Sequence, residues 1–188
     1  MVMKKILWLI FWVSIFLLFL LPANDPDLGW QLRCGKMFWE GGGICKTNTF
    51  TVLMEGYSWV NHAWLYQVLI YPVFRIFGVA GLVVMNALIM TGTCGLFFLY
   101  LRKFGSLARL MGVLVFVFMG WGIFSLGIRS QILALFILSV DLYLLTRKKL
   151  KFRWWWIIFL TGLFVNFHGS FVVALVVIAG VVYLTEAQ

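Results

Sequence analysis

The chain changes character within residues 20–32, which read LLPANDPDLGWQL. A long apolar run starting near residue 6 ends here, and two acids, Asp25 and Asp27, follow it closely. Acidic groups are costly at membrane depth and persist there mainly when they have a partner or a function. The stretch therefore predicts the end of a membrane-spanning helix and the start of a functional loop.

The composition predicts an integral membrane protein. Hydrophobic residues make up 64% of the 188 residues and charged residues 11%, which leaves too little polar surface for a water-soluble domain. The net charge of +9 does not indicate a nucleic-acid partner, because the basic residues lie in short clusters between apolar runs. Membrane lipids are the surroundings that this pattern favours.

The apolar runs predict an all-α, polytopic transmembrane helix bundle, formed by residues 1–188 as a single domain. Several runs are shorter than the roughly 20 residues that a spanning helix needs, so flanking Trp, Lys and Arg must extend them. Residues 22–61 form a long outer loop that carries juxtamembrane helices. One such helix is expected through DLGWQLRCGKMFWEG (27–41), starting at Pro26, with Asp25 as its N-cap and Asp27 in its first turn. The predicted spans lie near 6–21, 79–101, 107–126, 131–146, 154–167 and 171–184.

The basic residues predict the topology. Lys4 and Lys5 place the N-terminus in the cytoplasm by the positive-inside rule. The segment 62–77 either crosses the membrane or lies in the interface as a helix. The interfacial arrangement puts ten Lys and Arg residues inside and five outside, and we favour it. A cleaved signal peptide is the alternative for the first span, but the span is long for that role and LLPAND is a poor cleavage site.

With this topology, polar residues scattered along the chain fall at the outer ends of helices. Their convergence predicts one cavity, since polar groups at membrane depth gather in such places. Other interpretations remain open for single residues: Arg129 could snorkel to the interface, His168 could belong to a helix-ending turn, and the two aspartates could only cap a helix. The residues concerned are Asp25, Asp27, Asn61, His62, Arg129, Gln131, Asn166 and His168.

The same segments resemble the first outer loop of the bacterial GT-C superfamily of membrane glycosyltransferases. DPDLGWQLRCG (25–35), TNTFT (47–51) and GYSWVNHAWL (56–65) are similar to that family's D-P-D-L-W-W-H-L-x-x-G, T-D-x-F-S and W-x-x-H-E-W-L. Further along, IRSQ (128–131) is similar to its R-P-Q segment and VNFHG (165–169) to its V-N-x-H-G. Three positions depart from the family pattern, because Gln31, Asn48 and Ala63 stand where the family has His, Asp and Glu.

The resemblance implies a transferase that moves a sugar from a polyprenyl-phosphate carrier to an acceptor on the outer face of the bacterial inner membrane. Asp27 and Asp25 are then the catalytic candidates, because an inverting transfer needs a carboxylate to accept the hydroxyl proton. Asp27 is preferred as the base, since Asp25 is a natural N-cap and the predicted helix would direct the Asp27 carboxylate. The substrate-binding candidates are Trp30, His62, Arg129, Gln131, Asn166 and His168. Because six spans are few for this superfamily, the sequence is expected to be an N-terminal portion of a longer protein.

Several questions stay open at this point. The three departures keep a degenerate paralogue in consideration, and a transporter or lipid-carrier binder is the other non-enzymatic alternative. The sequence leaves the cofactor open: a divalent cation on Asp25 and Asp27 is conceivable, because hard cations take carboxylate oxygens, but two aspartates without a third ligand are weak evidence for one. Cys34 and Cys45 are expected to be free thiols rather than a disulfide, since two cysteines alone do not predict a bond. Asp141, within a span, is expected to pair with Arg109, Arg147 or Lys148.

Overall fold

The computed structural model describes residues 2–147 and 152–186, most of which are helical. Within these ranges there is no β-strand, only an isolated bridge between Thr47 and Ser58. The prediction of an all-α chain is confirmed. The helices are α1 (Val2–Leu18), α2 (Leu28–Met37), α3 (Trp64–Tyr100), α4 (Ser106–Phe124), α5 (Ser130–Leu145), α6 (Arg153–Val165) and α7 (Phe171–Glu186).

Two helices, α3 and α4, are long and apolar enough to cross a membrane. In their most apolar stretches 11% and 17% of the residues are buried, whereas the core helix of a soluble protein is mostly buried. The shorter helices α1, α5, α6 and α7 are also apolar. Their positions match the predicted spans closely, although the arrangement of a membrane around them stays a prediction.

Helix α3 is divided at Gly78, where φ is +64° and ψ is −160°. Only glycine adopts this conformation readily, because a Cβ would clash with the backbone. The break falls between the segment that we expected to lie in the interface, 62–77, and the span that we expected to follow it, 79–101. The kink at Gly78 thus falls at the boundary that the sequence suggested, while the interfacial position of the first part and the spanning role of the second remain predictions.

The interior contains two clusters of apolar side chains, and both include residues of α3 and α5. One cluster joins these helices to α1 and α4, and contains Phe19, Met90, Val113, Phe124 and Ile132. The other joins them to α2, α6 and α7, and contains Leu28, Ile70, Leu82, Ile137 and Phe164. Helices α3 and α5 therefore form the centre of the fold. The start of α5 and the α6–α7 connection, which carry polar residues, lie near the start of α3.

The outer loop is folded onto the first half of α3. Gly35 of α2 lies so close to α3 that a Cβ there would collide with the carbonyl oxygen of Gln67 and the side chain of Tyr71. The indole N–H of Trp39 donates a hydrogen bond to the carbonyl oxygen of Val68 at 2.9 Å. Close backbone approach and a specific hydrogen bond together fix α2 against α3.

A disulfide joins Cys34 of α2 to Cys45, with their Cα atoms 5.6 Å apart. The expectation of free thiols was wrong, because the turn after α2 brings the two residues into bonding range and sequence spacing alone does not reveal such geometry. That turn is a π-helical segment, Phe38–Gly42, in which Gly41 has φ +87°. The third cysteine, Cys94, is buried in α3 as a small apolar residue, as expected.

The expected pairing of Asp141 was also wrong for the partners that the structure describes. Its carboxylate is buried and accepts a long hydrogen bond of 3.5 Å from Thr161. Arg109 instead lies over the ring of Phe98, and Arg147 over that of Tyr143. Lys148, the third proposed partner, lies outside the described residues, as do Lys149 and Lys151 of the predicted cytoplasmic cluster.

Candidate functional site

The site begins with a tight turn after α1. The backbone N–H of Leu28 donates to the carbonyl oxygen of Asp25 at 3.2 Å, and that of Asp27 donates to Asp25 Oδ1 at 3.1 Å. Pro26 suits the turn because its ring fixes φ near −65°. Helix α2 therefore begins at Leu28, later than predicted, and Asp27 rather than Asp25 occupies the N-cap position. The Asp27 side chain makes no capping hydrogen bond, so it is free to point elsewhere.

Arg129 connects this turn to the start of α5. Its Nε donates to Asp25 Oδ2 at 3.2 Å and its Nη2 to Asp27 Oδ2 at 3.5 Å. Arg129 is the extended residue directly before α5. The approach depends on Gly127, whose φ is +77° and where a Cβ would collide with the carbonyl oxygen of Pro22. The Arg129 side chain therefore faces the aspartates, and the snorkelling interpretation of this residue is wrong.

The two aspartates differ sharply in exposure. The side chain of Asp25 is 1% exposed, that of Arg129 23% and that of Asp27 48%. Asp27 Oδ1 also accepts a hydrogen bond from the indole N–H of Trp30 at 3.1 Å. Asp25 is thus a buried partner that orients Arg129, whereas Asp27 is the carboxylate that a ligand can reach.

A cavity of about 160 Å³ opens beside this carboxylate. It joins residues that lie more than 100 positions apart in the sequence and that come from α2, the start of α3, the start of α5 and the α6–α7 connection. Its lining residues are Asp27, Trp30, Gln31, His62, Ala63, Arg129, Ser130, Gln131 and His168.

Two histidines form one side of the cavity. The rings of His62 and His168 stand nearly perpendicular, with centroids 6.3 Å apart, and His62 packs against Gly169. His168 Nδ1 accepts a hydrogen bond from the backbone N–H of Ser170 at 3.0 Å, so the ring proton of neutral His168 resides on Nε2. Burial lowers the pKa of His168 from its usual range, and the nearby His62 and Arg129 lower it further. His168 therefore offers a neutral N–H donor.

Residues outside the cavity hold its parts together. Asn61 and Gln67 exchange two side-chain hydrogen bonds, at 2.7 and 3.1 Å, and so fix the turn that carries His62. Asn166 donates to the carbonyl oxygen of Gly162 and accepts from the indole N–H of Trp64 at 2.7 Å. Asn166, expected to bind substrate, does not line the cavity but links the end of α6 to the start of α3.

The structure thus brings together six of the eight residues that we selected from the sequence as site candidates. Asp27, Trp30, His62, Arg129, Gln131 and His168 line the cavity, whereas Asp25 lies buried behind it and Asn166 beside it. Sequence reasoning missed Gln31 as a lining residue. It follows Asp27 by four positions and therefore shares its helix face, which is the signal that could have identified it.

The residues do not form a good site for a divalent cation. Arg129 contacts a carboxylate oxygen of both Asp25 and Asp27, so its guanidinium occupies the position that a bridging cation would need. Across residues 2–147 and 152–186, no group of three His, Cys, Asp or Glu side chains is close enough to hold a metal ion.

Comparison of the chain with protein-family models, with curated proteins and with solved structures finds no match. The resemblance to the GT-C superfamily therefore remains a prediction, and the function has to be argued from the site itself.

Proposed function

We propose that the chain is a membrane glycosyltransferase that transfers a sugar from a polyprenyl-phosphate carrier to an acceptor on the outer face of the bacterial inner membrane. The observation that carries the proposal is the pairing, at one cavity, of the half-exposed Asp27 carboxylate with the Arg129 guanidinium. A transfer of this kind needs a base for the acceptor hydroxyl and a cation for the departing phosphate. Both groups are present within one ion pair.

The residues have distinct roles in the proposed reaction. Asp27 takes the proton of the acceptor hydroxyl as the acceptor oxygen bonds to the anomeric carbon of the sugar. The bond between that carbon and the phosphate oxygen breaks, and its electron pair leaves with the polyprenyl phosphate. Arg129 and the neutral Nε2–H of His168 stabilise the charge that develops on this phosphate. Asp25 keeps Arg129 in position from behind.

The proposed location rests on two features of the chain. Helices α3 and α4 are suited to cross a membrane, and a multi-pass arrangement with a cytoplasmic N-terminus would place residues 22–61 outside. The Cys34–Cys45 disulfide belongs to this loop, and disulfides persist in oxidising compartments such as the bacterial periplasm. The loop that carries Asp27 would then meet a lipid-linked donor at the outer surface.

The test is Asp27→Asn, measured in the full chain reconstituted in lipid nanodiscs. Transfer from radiolabelled polyprenyl-phosphate sugars to lipid or saccharide acceptors is expected to fall about 10²–10⁴-fold, because an amide of nearly the same shape cannot accept the proton. Glu55→Gln is the matched control, since Glu55 is an exposed carboxylate of the same loop and lies outside the cavity. Transfer by Asp27→Asn at the unmutated rate would contradict the proposal, and donor binding without transfer by the unmutated chain would favour a lipid-carrier binder.

A further inference from the structure

We propose that Gln31 and Gln131 form a hydroxyl-recognition subsite in the cavity and that this subsite reads the sugar of the donor. The inference rests on the proposed function, whose reacting groups are Asp27 and Arg129. It adds the part of the site that would distinguish one hexose from another.

Both glutamines have a side-chain oxygen that is buried but unused. Gln31 is 5% exposed, and its Oε1 accepts no hydrogen bond from any described residue. Gln131 is partly exposed, but its Oε1 atom is buried and likewise has no partner among the residues described. Buried polar groups in folded proteins are nearly always hydrogen-bonded, so two unpartnered acceptor atoms at one cavity point to a ligand that donates hydrogen bonds there.

The two amides flank the reacting groups. Gln31 lies one helical turn after Asp27 on α2, and Gln131 lies two residues after Arg129 in the first turn of α5. Each amide therefore shares its helix end with one member of the Asp27–Arg129 ion pair. A ligand positioned for attack beside that pair would have its adjacent groups within reach of both amides.

The chemistry of the two amides selects a neutral, hydroxylated group. An amide presents one acceptor oxygen and two N–H donors, which complements a hydroxyl that both donates and accepts. The two unpartnered atoms are acceptor oxygens, so they need a hydrogen-bond donor, which a hydroxyl supplies and an ionised phosphate oxygen does not. A cationic donor would be repelled by the neighbouring Arg129. The charged phosphate of the donor thus belongs beside Arg129 and the sugar hydroxyls beside the glutamines.

The size and the aromatic wall of the cavity agree with a sugar-sized group. Its volume of about 160 Å³ is on the order of ten times the 10–15 Å³ needed to hold one water. Trp30 lines the cavity and is held by Trp59, whose ring centroid lies 5.2 Å away, and by Phe50 at 6.2 Å. A fixed indole provides an apolar face for the C–H side of a pyranose ring while the amides take its hydroxyls.

The test uses Gln31→Met and Gln131→Met, which keep side-chain length and remove the amide, in the full chain in nanodiscs. Calorimetry measures binding of three probes: a short-chain prenyl-phosphate hexose with its single deoxy analogues, the prenyl phosphate without sugar, and a methyl hexoside. Each substitution is expected to weaken binding of the hexose donor about tenfold and to leave binding of the sugar-free prenyl phosphate unchanged. One of the deoxy analogues should bind the unmutated chain as weakly as the unmodified prenyl-phosphate hexose binds the Gln→Met variant.

Thermal unfolding of the ligand-free protein separates recognition from structure. Each substitution removes a buried oxygen that has no hydrogen-bond partner, so it should leave the unfolding temperature unchanged or raise it. A lowered unfolding temperature with equal loss of all three probes would overturn the subsite, as would unchanged binding of the hexose. If the prenyl-phosphate probes do not bind the unmutated chain, the proposed function fails. In that case, methyl hexoside binding that is weakened by Gln31→Met would support the subsite, and methyl hexoside binding that is unchanged by it would contradict the subsite.

Discussion

Asp25 and Asp27 are separated by one proline, and yet the fold gives them opposite environments. The Asp25 side chain is 1% exposed and holds Arg129, whereas that of Asp27 is 48% exposed at the cavity. From the sequence alone, Asp25→Asn would be a mild change, because Asn caps helices about as well as Asp. That reasoning does not apply here, because Asp25 is not the N-cap and its carboxylate pairs with a partly buried cation.

We therefore expect Asp25→Asn to destabilise the protein. Loss of one partner from a fully buried ion pair costs about 3–5 kcal/mol, and the partial exposure of Arg129 reduces this to about 2–3 kcal/mol. For a chain of this length that corresponds to roughly 5–10 °C in unfolding temperature, measurable by scanning calorimetry in nanodiscs. The control is Glu40→Gln, which breaks the exposed Lys36–Glu40 pair of the same loop and should change stability by less than about 0.5 kcal/mol. Equal effects of the two substitutions would show that Asp25 does not orient Arg129.

At the scale of the elements, the outer loop is held by covalent and close-packing restraints. The disulfide joins α2 to the chain entering the bridge between Thr47 and Ser58. Beyond that bridge the loop extends to an exposed tip at Val52–Met54. The disulfide restrains the connection between α2 and this hairpin-like segment, and with it the aromatic side chains of Phe50 and Trp59 that support Trp30.

We expect Cys34→Ser to loosen this segment. In the chain-entropy description, a bridge across 11 residues contributes about 2–3 kcal/mol. Limited proteolysis in nanodiscs should therefore cleave the variant faster near Val52–Met54, while Cys94→Ser, which leaves the bridge intact, should be cleaved at the unmutated rate. Mass spectrometry after alkylation provides a direct check: Cys34 and Cys45 of the unmutated chain should be modified only after reduction. Their modification without reduction would contradict the bond.

The helices were predictable from the sequence because apolar runs and their interruptions are local features. Gly78, for example, marks the break in α3 between two segments that hydropathy had already separated. The cavity was partly predictable, since a topology model places Arg129 and His168 at the same end of the bundle as Asp27. The Asp25–Arg129 pair, the disulfide and the free amide of Gln31 were not predictable, because each depends on distances between segments that sequence spacing does not contain.

At the scale of the whole molecule, the first half of α3 determines on which side of the membrane each later loop lies. If residues 64–77 lie in the interface, Val79–Tyr100 is the second span and Lys103 faces the cytoplasm. If they cross, Lys103 lies on the same side as the outer loop. Ten of the 15 basic residues fall inside only in the first arrangement, and the break at Gly78 provides the change of direction that it requires.

We therefore expect single cysteines introduced by Glu55→Cys and Lys103→Cys to react with a membrane-impermeant maleimide from opposite sides of the membrane. The background is Cys94→Ser, which removes the buried free thiol and keeps the Cys34–Cys45 bond closed. In intact cells only the cysteine at position 55 should be labelled, and in inverted vesicles only that at 103, because each lies in a loop joined to helices of fixed direction.

Labelling of both positions from the same side would mean that residues 64–77 cross the membrane, and the segments after α3 would then be inverted relative to the outer loop. Arg129 and Asp27 could not meet across a membrane in that case, so the same measurement tests the cavity on which the proposed function depends.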